Sequence, residues 1–226
     1  ILNYERWRAV GREATFVVGH SIGEVAAAYA AELLTLDQAL AVAHALGVAG
    51  LQLSGAMLQT RLTDDMLRSW RPEEQDGLCV AAINSAPAEA DGARSVTLCG
   101  PSAQIESLLV LDSRAKRLLV PHPWHHHAYL QEPGVSDAIP DMRAPTPPSP
   151  TAPVFVSSTQ ARIVDGRSSV LDAAYWREWL SSTVRFADAL TLVATLLRQT
   201  PPAARTSTFA AMGATLAPPP PAAGGN

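Results

Sequence analysis

Gly19-His20-Ser21-Ile22-Gly23-Glu24 stands between a short apolar run, Ala14 to Gly19 (ATFVVG), and an alanine-rich stretch without proline, Ile22 to Leu33. The first run has the length and unbroken hydrophobicity of a buried parallel strand. The second suits a helix packed closely on a sheet. Joined by G-x-S-x-G, they predict a strand that turns abruptly into a helix with Ser21 at the turn, the flanking glycines allowing the bend. Such a turn exposes the serine oxygen at a helix N-terminus and aims the N–H of the next residue, Ile22, at an oxyanion. A serine hydroxyl is a poor nucleophile at neutral pH, so a base must lie within hydrogen-bond reach. Ser21 is the candidate nucleophile and Ile22 the candidate backbone oxyanion donor. Glu24 reads as a structural charge favouring the helix dipole, and His20 as a neighbour of the pocket.

Outward from this turn, Leu2 to Val10 has helical spacing, and Leu36 to Leu46 predicts a second helix entered through Thr35 as N-cap. Ala56 to Leu62, Leu78 to Asn84, Ser95 to Cys99 and Ala115 to Val120 predict strands. Asp64 to Trp70, capped by Thr63, and Ser102 to Leu109 predict helices. The order βαββαβ is ferredoxin-like. The fold class expected is therefore α/β: a parallel-sheet body over 1–54 and 121–200 with a ferredoxin-like subdomain inserted at 55–120. A proline-rich passage, Pro140 to Pro153, precedes a strand at Val154 to Ser157 and helices at Asp172 to Leu180 and Phe186 to Leu197. Residues 201–226, ending in PPPPAAGGN, have the composition of an interdomain linker. With Ile1 at the start, an N-terminally truncated excerpt of a longer chain is expected, with neighbours on both sides.

The 226 residues are 47% hydrophobic with a formal charge of −4 and no block of lysine or arginine, so neither nucleic acid nor an anionic membrane is an expected partner. No apolar run reaches the length of a membrane span. Cys79 and Cys99 lack CxxC spacing and no secretory leader opens the chain, which fits a soluble cytoplasmic protein.

The string GHSIGEVAAAYAAELLTLDQAL resembles the signature of the acyltransferase domains of polyketide and fatty-acid synthases, the malonyl-CoA:acyl-carrier-protein transacylase family. The resemblance extends to GAML at Gly55 to Leu58, AAIN at Ala81 to Asn84, and YWREWL with VRFADAL between Tyr175 and Leu190. It implies an α/β-hydrolase-like body with a ferredoxin-like insert, in agreement with the βαββαβ order. It also implies an acyl-CoA donor, an acyl-carrier-protein phosphopantetheine thiol as acceptor, no bound cofactor, and flanking synthase domains with a ketosynthase upstream.

His122-Pro123-Trp124-His125 is similar to the family's HAFH segment, whose last histidine partners the serine; His125 is the implied base. The family holds that histidine by a backbone carbonyl, which by position belongs to Trp179, where the family has asparagine. Consecutive side chains of an extended segment point to opposite sides, so at most His125 and His127 should share a face. No metal is expected, because adjacent histidines rarely converge and no carboxylate or cysteine set accompanies them.

Relatives that use malonyl or methylmalonyl groups grip the carboxylate with an arginine 25 residues after the serine; here that position is Leu46, and no arginine or lysine occurs between Arg12 and Arg61. A free carboxylate buried without a cation costs several kcal/mol. The HPWH segment pulls toward malonyl, but Leu46 bears on the charge itself, whereas Trp124 shapes the space beside the α-carbon. An uncharged starter group is the expected substrate, with His20, Leu46, His122 and Trp124 around it. The family's upstream Gln-Gly strand, half of its oxyanion hole, has no counterpart, and TFAAMGATL at Thr208 to Leu216 only faintly matches FxExGPHxxL. Two alternatives stay open: a structural remnant without chemistry, and a serine hydrolase or thioesterase.

Overall fold

The computed structural model describes residues 1–71, 77–139, 148–165 and 171–199. Much of the proline-rich passage, the predicted linker at 201–226 and the Thr208 to Leu216 segment lie outside the described residues. Helix α1 (Leu2–Ala9) leads to β1 (Phe16–Val18), α2 (Gly23–Ala30) and α3 (Leu36–Gly50). Then follow β2 (Ala56–Thr63), α4 (Asp64–Ser69), β3 (Cys79–Ile83), β4 (Ala93–Gly100), α5 (Ser102–Leu111) and β5 (Lys116–Arg117). A 3-10 turn (His127–Gln131), α6 (Pro133–Ala138), β6 (Val154–Ser157), β7 (Arg162–Val164), α7 (Ala173–Ser181) and α8 (Phe186–Gln199) complete the described chain.

Helix starts follow from side-chain caps. Thr35 forms a reciprocal capping box with Gln38, Thr63 accepts from the Met66 N–H, and Asp172 accepts from the Tyr175 N–H. Two sheets result. One has the order β1-β6-β7, with β1 and β6 parallel through Phe16 opposite Val154. Beside this parallel pair the sheet carries a strand that the expected parallel-sheet body did not include, β7, which runs antiparallel to β6. Arg162 and Ile163 face outward and only Val164 is buried, so the strand carries no apolar run by which sequence could announce it. The other sheet has the order β3-β4-β2-β5 with every neighbour antiparallel. Its last strand is shorter than the predicted Ala115 to Val120, since only Lys116 and Arg117 pair with β2.

The main apolar cluster gathers Leu46, Tyr129, Phe155, Trp176, Trp179 and Leu180 between α2, α3 and α7. A second, of Leu58, Val96, Leu98 and Ile105, lies under α5. The strand-like segment before α8 joins the two sheets: Ile83 N–H donates to Val184 O, Val184 N–H to Ala81 O, and Arg185 N–H to Ser158 O. That stitch fixes the end of β3 beside the β6–β7 turn. No helix among the described residues is long and apolar enough to cross a membrane.

Candidate active site

Gly19 to Ile22 turn the chain from β1 into α2. Ser21 takes φ 51°, the left-handed region that residues with a Cβ seldom adopt. The Gly23 N–H donates to His20 O at 3.0 Å and the Glu24 N–H to Ser21 O at 2.8 Å. A methyl at Gly19 would lie 2.1 Å from the Gly23 carbonyl carbon and 2.2 Å from the Glu24 nitrogen, whereas one at Gly23 would meet nothing within 4 Å. The bend therefore needs glycine at position 19 and not at 23, which corrects the reading that both glycines make it. Among the described residues no hydrogen bond occupies the Ile22 N–H, left open at the start of α2.

His125 approaches from the other side of the chain. Its Nε2 lies 2.7 Å from Ser21 Oγ and its Nδ1 lies 2.8 Å from Trp179 O. A carbonyl only accepts, so Nδ1 carries the proton and Nε2 presents a lone pair to the serine hydroxyl. The ring is buried, 3% exposed, and that burial pulls its pKa down to about 4 against the opposing pull of the Trp179 carbonyl. At neutral pH it is a free base. Trp179 serves twice, because its indole Nε1–H donates to Ser21 O at 3.2 Å while its ring stands edge-on to His125 at 4.7 Å.

Glu24, in the first turn of α2, is wholly buried as well as structural, accepting from Ser158 N–H at 2.8 Å, Thr159 Oγ1 at 2.6 Å and Tyr175 Oη at 2.8 Å. Burial raises its pKa, and the hydrogen bonds from Thr159, Ser157 and Tyr175 work against that rise. Ser158 Oγ also donates to Gly19 O at 2.7 Å, so the β6–β7 turn and α7 brace the bend from below. Glu24 is the one acid within α2, among small and apolar residues, and an acid buried there must find donors or stay neutral.

His20 is exposed, donates from Nε2 to Asn84 Oδ1 at 2.7 Å and stands edge-on to Phe186 at 5.0 Å. Asn84, which donates to Thr97 Oγ1 at 3.1 Å, was not singled out from sequence as a site residue. His122 donates from Nδ1 to Leu53 O at 2.9 Å and meets Trp124 edge-on. Trp124 lies against Gly50, where a methyl would come within 2.1 Å of its ring, and against Trp179 with centroids 6.3 Å apart. Leu46, one helical turn before Gly50, is fully buried in the main apolar cluster against which Trp124 packs. A polar cleft of about 480 Å³ lined by Thr159, Arg162, Glu178 and Arg185 includes neither Ser21 nor His125.

The expected alternation across the histidines fails. His125 takes φ 65°, so the extended pattern breaks at that residue. His126 and His127 stack with centroids 4.7 Å apart and gather beside Cys79, while His125 alone turns to Ser21. Contrary to expectation, then, two neighbouring histidines do converge, and a cysteine accompanies them.

The chain as a whole resembles known proteins. A family model described as "Acyl transferase domain" matches residues 1–201. The chain is 34% identical over 196 residues to erythronolide synthase EryA2 of Saccharopolyspora erythraea, and 35% over 193 residues to the hybrid PKS-NRPS synthetase pynA of Aspergillus niger. Those alignments cover 84% and 80% of this chain but only 5% of either relative's length. A loading acyltransferase from the avermectin modular polyketide synthase superposes with a TM-score of 0.71 at 31% identity, over 86% of this chain and 60% of that one. With a family model matching residues 1–201 and relatives more than 30% identical over at least four fifths of its length, the chain belongs to the acyl transferase domain family.

Proposed function

We propose that this chain moves an acyl group from acyl-CoA, through an ester on Ser21, to the phosphopantetheine thiol of an acyl carrier protein within a multidomain synthase. The observation that carries this reading is the hydrogen-bonded line Ser21 Oγ, His125 Nε2, His125 Nδ1, Trp179 O, at 2.7 and 2.8 Å. Ser21 Oγ attacks the thioester carbonyl and its proton passes to Nε2. The oxyanion forms beside the Ile22 N–H at the N-terminus of α2. Collapse breaks the C–S bond, and the imidazolium returns the proton to the departing CoA sulfur. The carrier thiol then repeats the cycle in reverse and frees Ser21.

The group carried is uncharged, a starter such as acetyl. Leu46 offers a carboxylate no charge, and Trp124 fills the space over Gly50. The likeness to a loading acyltransferase is consistent with this. On the same reading the body is α/β-hydrolase-like over 1–54 and 121–200, residues 55–120 form the ferredoxin-like insert, and 201–226 link to the next domain. The 4-1-3-2 order of its four strands, with two helices between them, supports the insert. A ketosynthase upstream, a cytoplasmic setting and no bound cofactor complete the proposal.

Intact-mass measurement after incubation with acetyl-, malonyl- or longer acyl-CoA tests it. An adduct is expected with acetyl-CoA, absent in Ser21→Ala and discharged by carrier protein. Discharge by water at the same rate would point to a hydrolase. Absence of any adduct refutes the chemistry, and preferential malonyl loading refutes the substrate argument alone.

A further inference from the structure

On the face of the histidine segment turned away from Ser21, three metal-binding donors meet. Cys79 Sγ lies 3.0 Å from His127 Nδ1, and one ligand atom from each of Cys79, His126 and His127 falls within 4.8 Å of the other two. They come from β3 and from the start of the 3-10 turn, 47 residues apart at the nearest. Cys99 stands directly opposite Cys79 across the β3–β4 pair and is fully buried. None of the four has a part in the acyl chemistry.

We propose that Cys79, His126 and His127 bind a borderline-soft divalent metal ion, Zn²⁺ foremost, on the back of the segment that carries His125. The donor chemistry selects it: one thiolate and two imidazoles suit Zn²⁺ and exclude the oxygen-seeking Mg²⁺ and Ca²⁺. Tetrahedral zinc, with bonds of about 2.3 Å to sulfur and about 2.0–2.1 Å to nitrogen, places its donors about 3.5 Å apart. The present spread brackets that value, so shifts of about 1 Å assemble the site.

The surroundings fit as well. His126 donates from Nε2 to Gly77 O at 2.8 Å, the outer-shell bond that commonly orients a metal-binding imidazole. Its lone pair is then at Nδ1, which accepts from the Ala128 N–H at 3.1 Å and exchanges that contact for the ion. Met57, Leu118, Val120 and Trp124 pack around the two cysteines, and such an apolar shell limits water at the ion. His127 is exposed, so the entry side is open to solvent and a water completes the tetrahedron as fourth donor. Bound there, the ion pins the residues that follow His125 without touching Ser21, so the site stands independently of the acyl-transfer reading.

Metal-stripped protein is titrated with Zn²⁺ in equilibrium dialysis, with Co²⁺ as the spectroscopic probe. One ion per chain is expected, with the intense visible bands of tetrahedral Co²⁺ and a thiolate charge-transfer band. Cys79→Ser abolishes the charge-transfer band, and His127→Ala, at an exposed position that leaves folding intact, weakens binding at least tenfold. Zn²⁺ raises the melting temperature of the parent chain but not of His127→Ala. Failure of the parent chain to retain an ion overturns the proposal, as does equal retention by both variants.

Discussion

Gly19→Ala and Gly23→Ala test the geometry of the bend because the structure assigns them opposite signs. A methyl at Gly19 falls 2.1 to 2.3 Å from three backbone atoms of Gly23 and Glu24, more than an ångström inside van der Waals contact. Backbone at the start of α2 cannot swing aside as a side chain does, and Ser158 Oγ holds Gly19 O in place. Overpacking of this kind costs about 3 kcal/mol or more. Gly23 opens α2, has no atom within 4 Å of the place a methyl would take, and lies outside the left-handed region. Alanine there restricts the unfolded chain and stabilises by about 0.4–1 kcal/mol. The two variants should therefore differ by roughly 4 kcal/mol in urea unfolding followed by circular dichroism. A Gly23→Ala loss equal to that of Gly19→Ala, or a neutral Gly19→Ala, would refute the assignment of the bend to a single glycine.

Neutral His125 contributes stability that is full above the ordinary histidine value of 6.5 and lost as pH falls toward about 4, because the unfolded chain binds the proton first. The pH dependence of unfolding should show a loss of about 3 kcal/mol across that window, and Ser21 acylation an acid limb near 4; a limb at 6.5 contradicts the buried base. Removing that base in His125→Ala should slow acylation by about 10²–10⁴-fold in stopped-flow mass analysis. Trp179→Phe keeps the carbonyl that holds His125 and deletes only the indole bond to Ser21 O, so it should lose about 1 kcal/mol of stability in chemical denaturation and far less rate than His125→Ala. Glu24→Ala strips three donors of their acceptor and should cost about 3 kcal/mol, whereas Glu24→Gln retains an acceptor oxygen and should melt much closer to the parent.

What sequence could reveal followed local rules. The bend at Ser21 was legible because strand run, G-x-S-x-G and alanine-rich helix are contiguous, and the βαββαβ order because its periodicities and the Thr63 cap are local. The partner of Ser21 lies 104 residues away. His125 was legible only through family resemblance; residue types alone left three adjacent histidines to choose from. The positive φ at His125 sets it apart from its neighbours, and sequence could not assign it, because histidine tolerates a left-handed backbone better than most residues and three histidines stand side by side. The brace on Glu24 was missed for a related reason: its donors, Ser158, Thr159 and Tyr175, lie more than 130 residues downstream. Strand β7 escapes a sequence reading because it is only three residues long, with Arg162 and Ile163 exposed and Val164 alone buried, too short to show a period.

Trp179 shows why a departure from the family pattern need not be neutral. A carbonyl at that position is available whatever the side chain, so the line from His125 survives any substitution that keeps α7 in place. The indole adds a second bond from the same residue to Ser21 O. Ser21 and His125 are thus both held by one residue of one helix, and a displacement of α7 moves them together. The distance between Oγ and Nε2 is buffered against such shifts. What fixes α7 is the Asp172 cap at its start and the Tyr175 bond to Glu24. The buried acid therefore acts on the pair through the helix: the Ile22 N–H shares one rigid peptide plane with the Ser21 carbonyl that Trp179 grips, so loss of Glu24 would disturb the serine, the histidine and the oxyanion donor together.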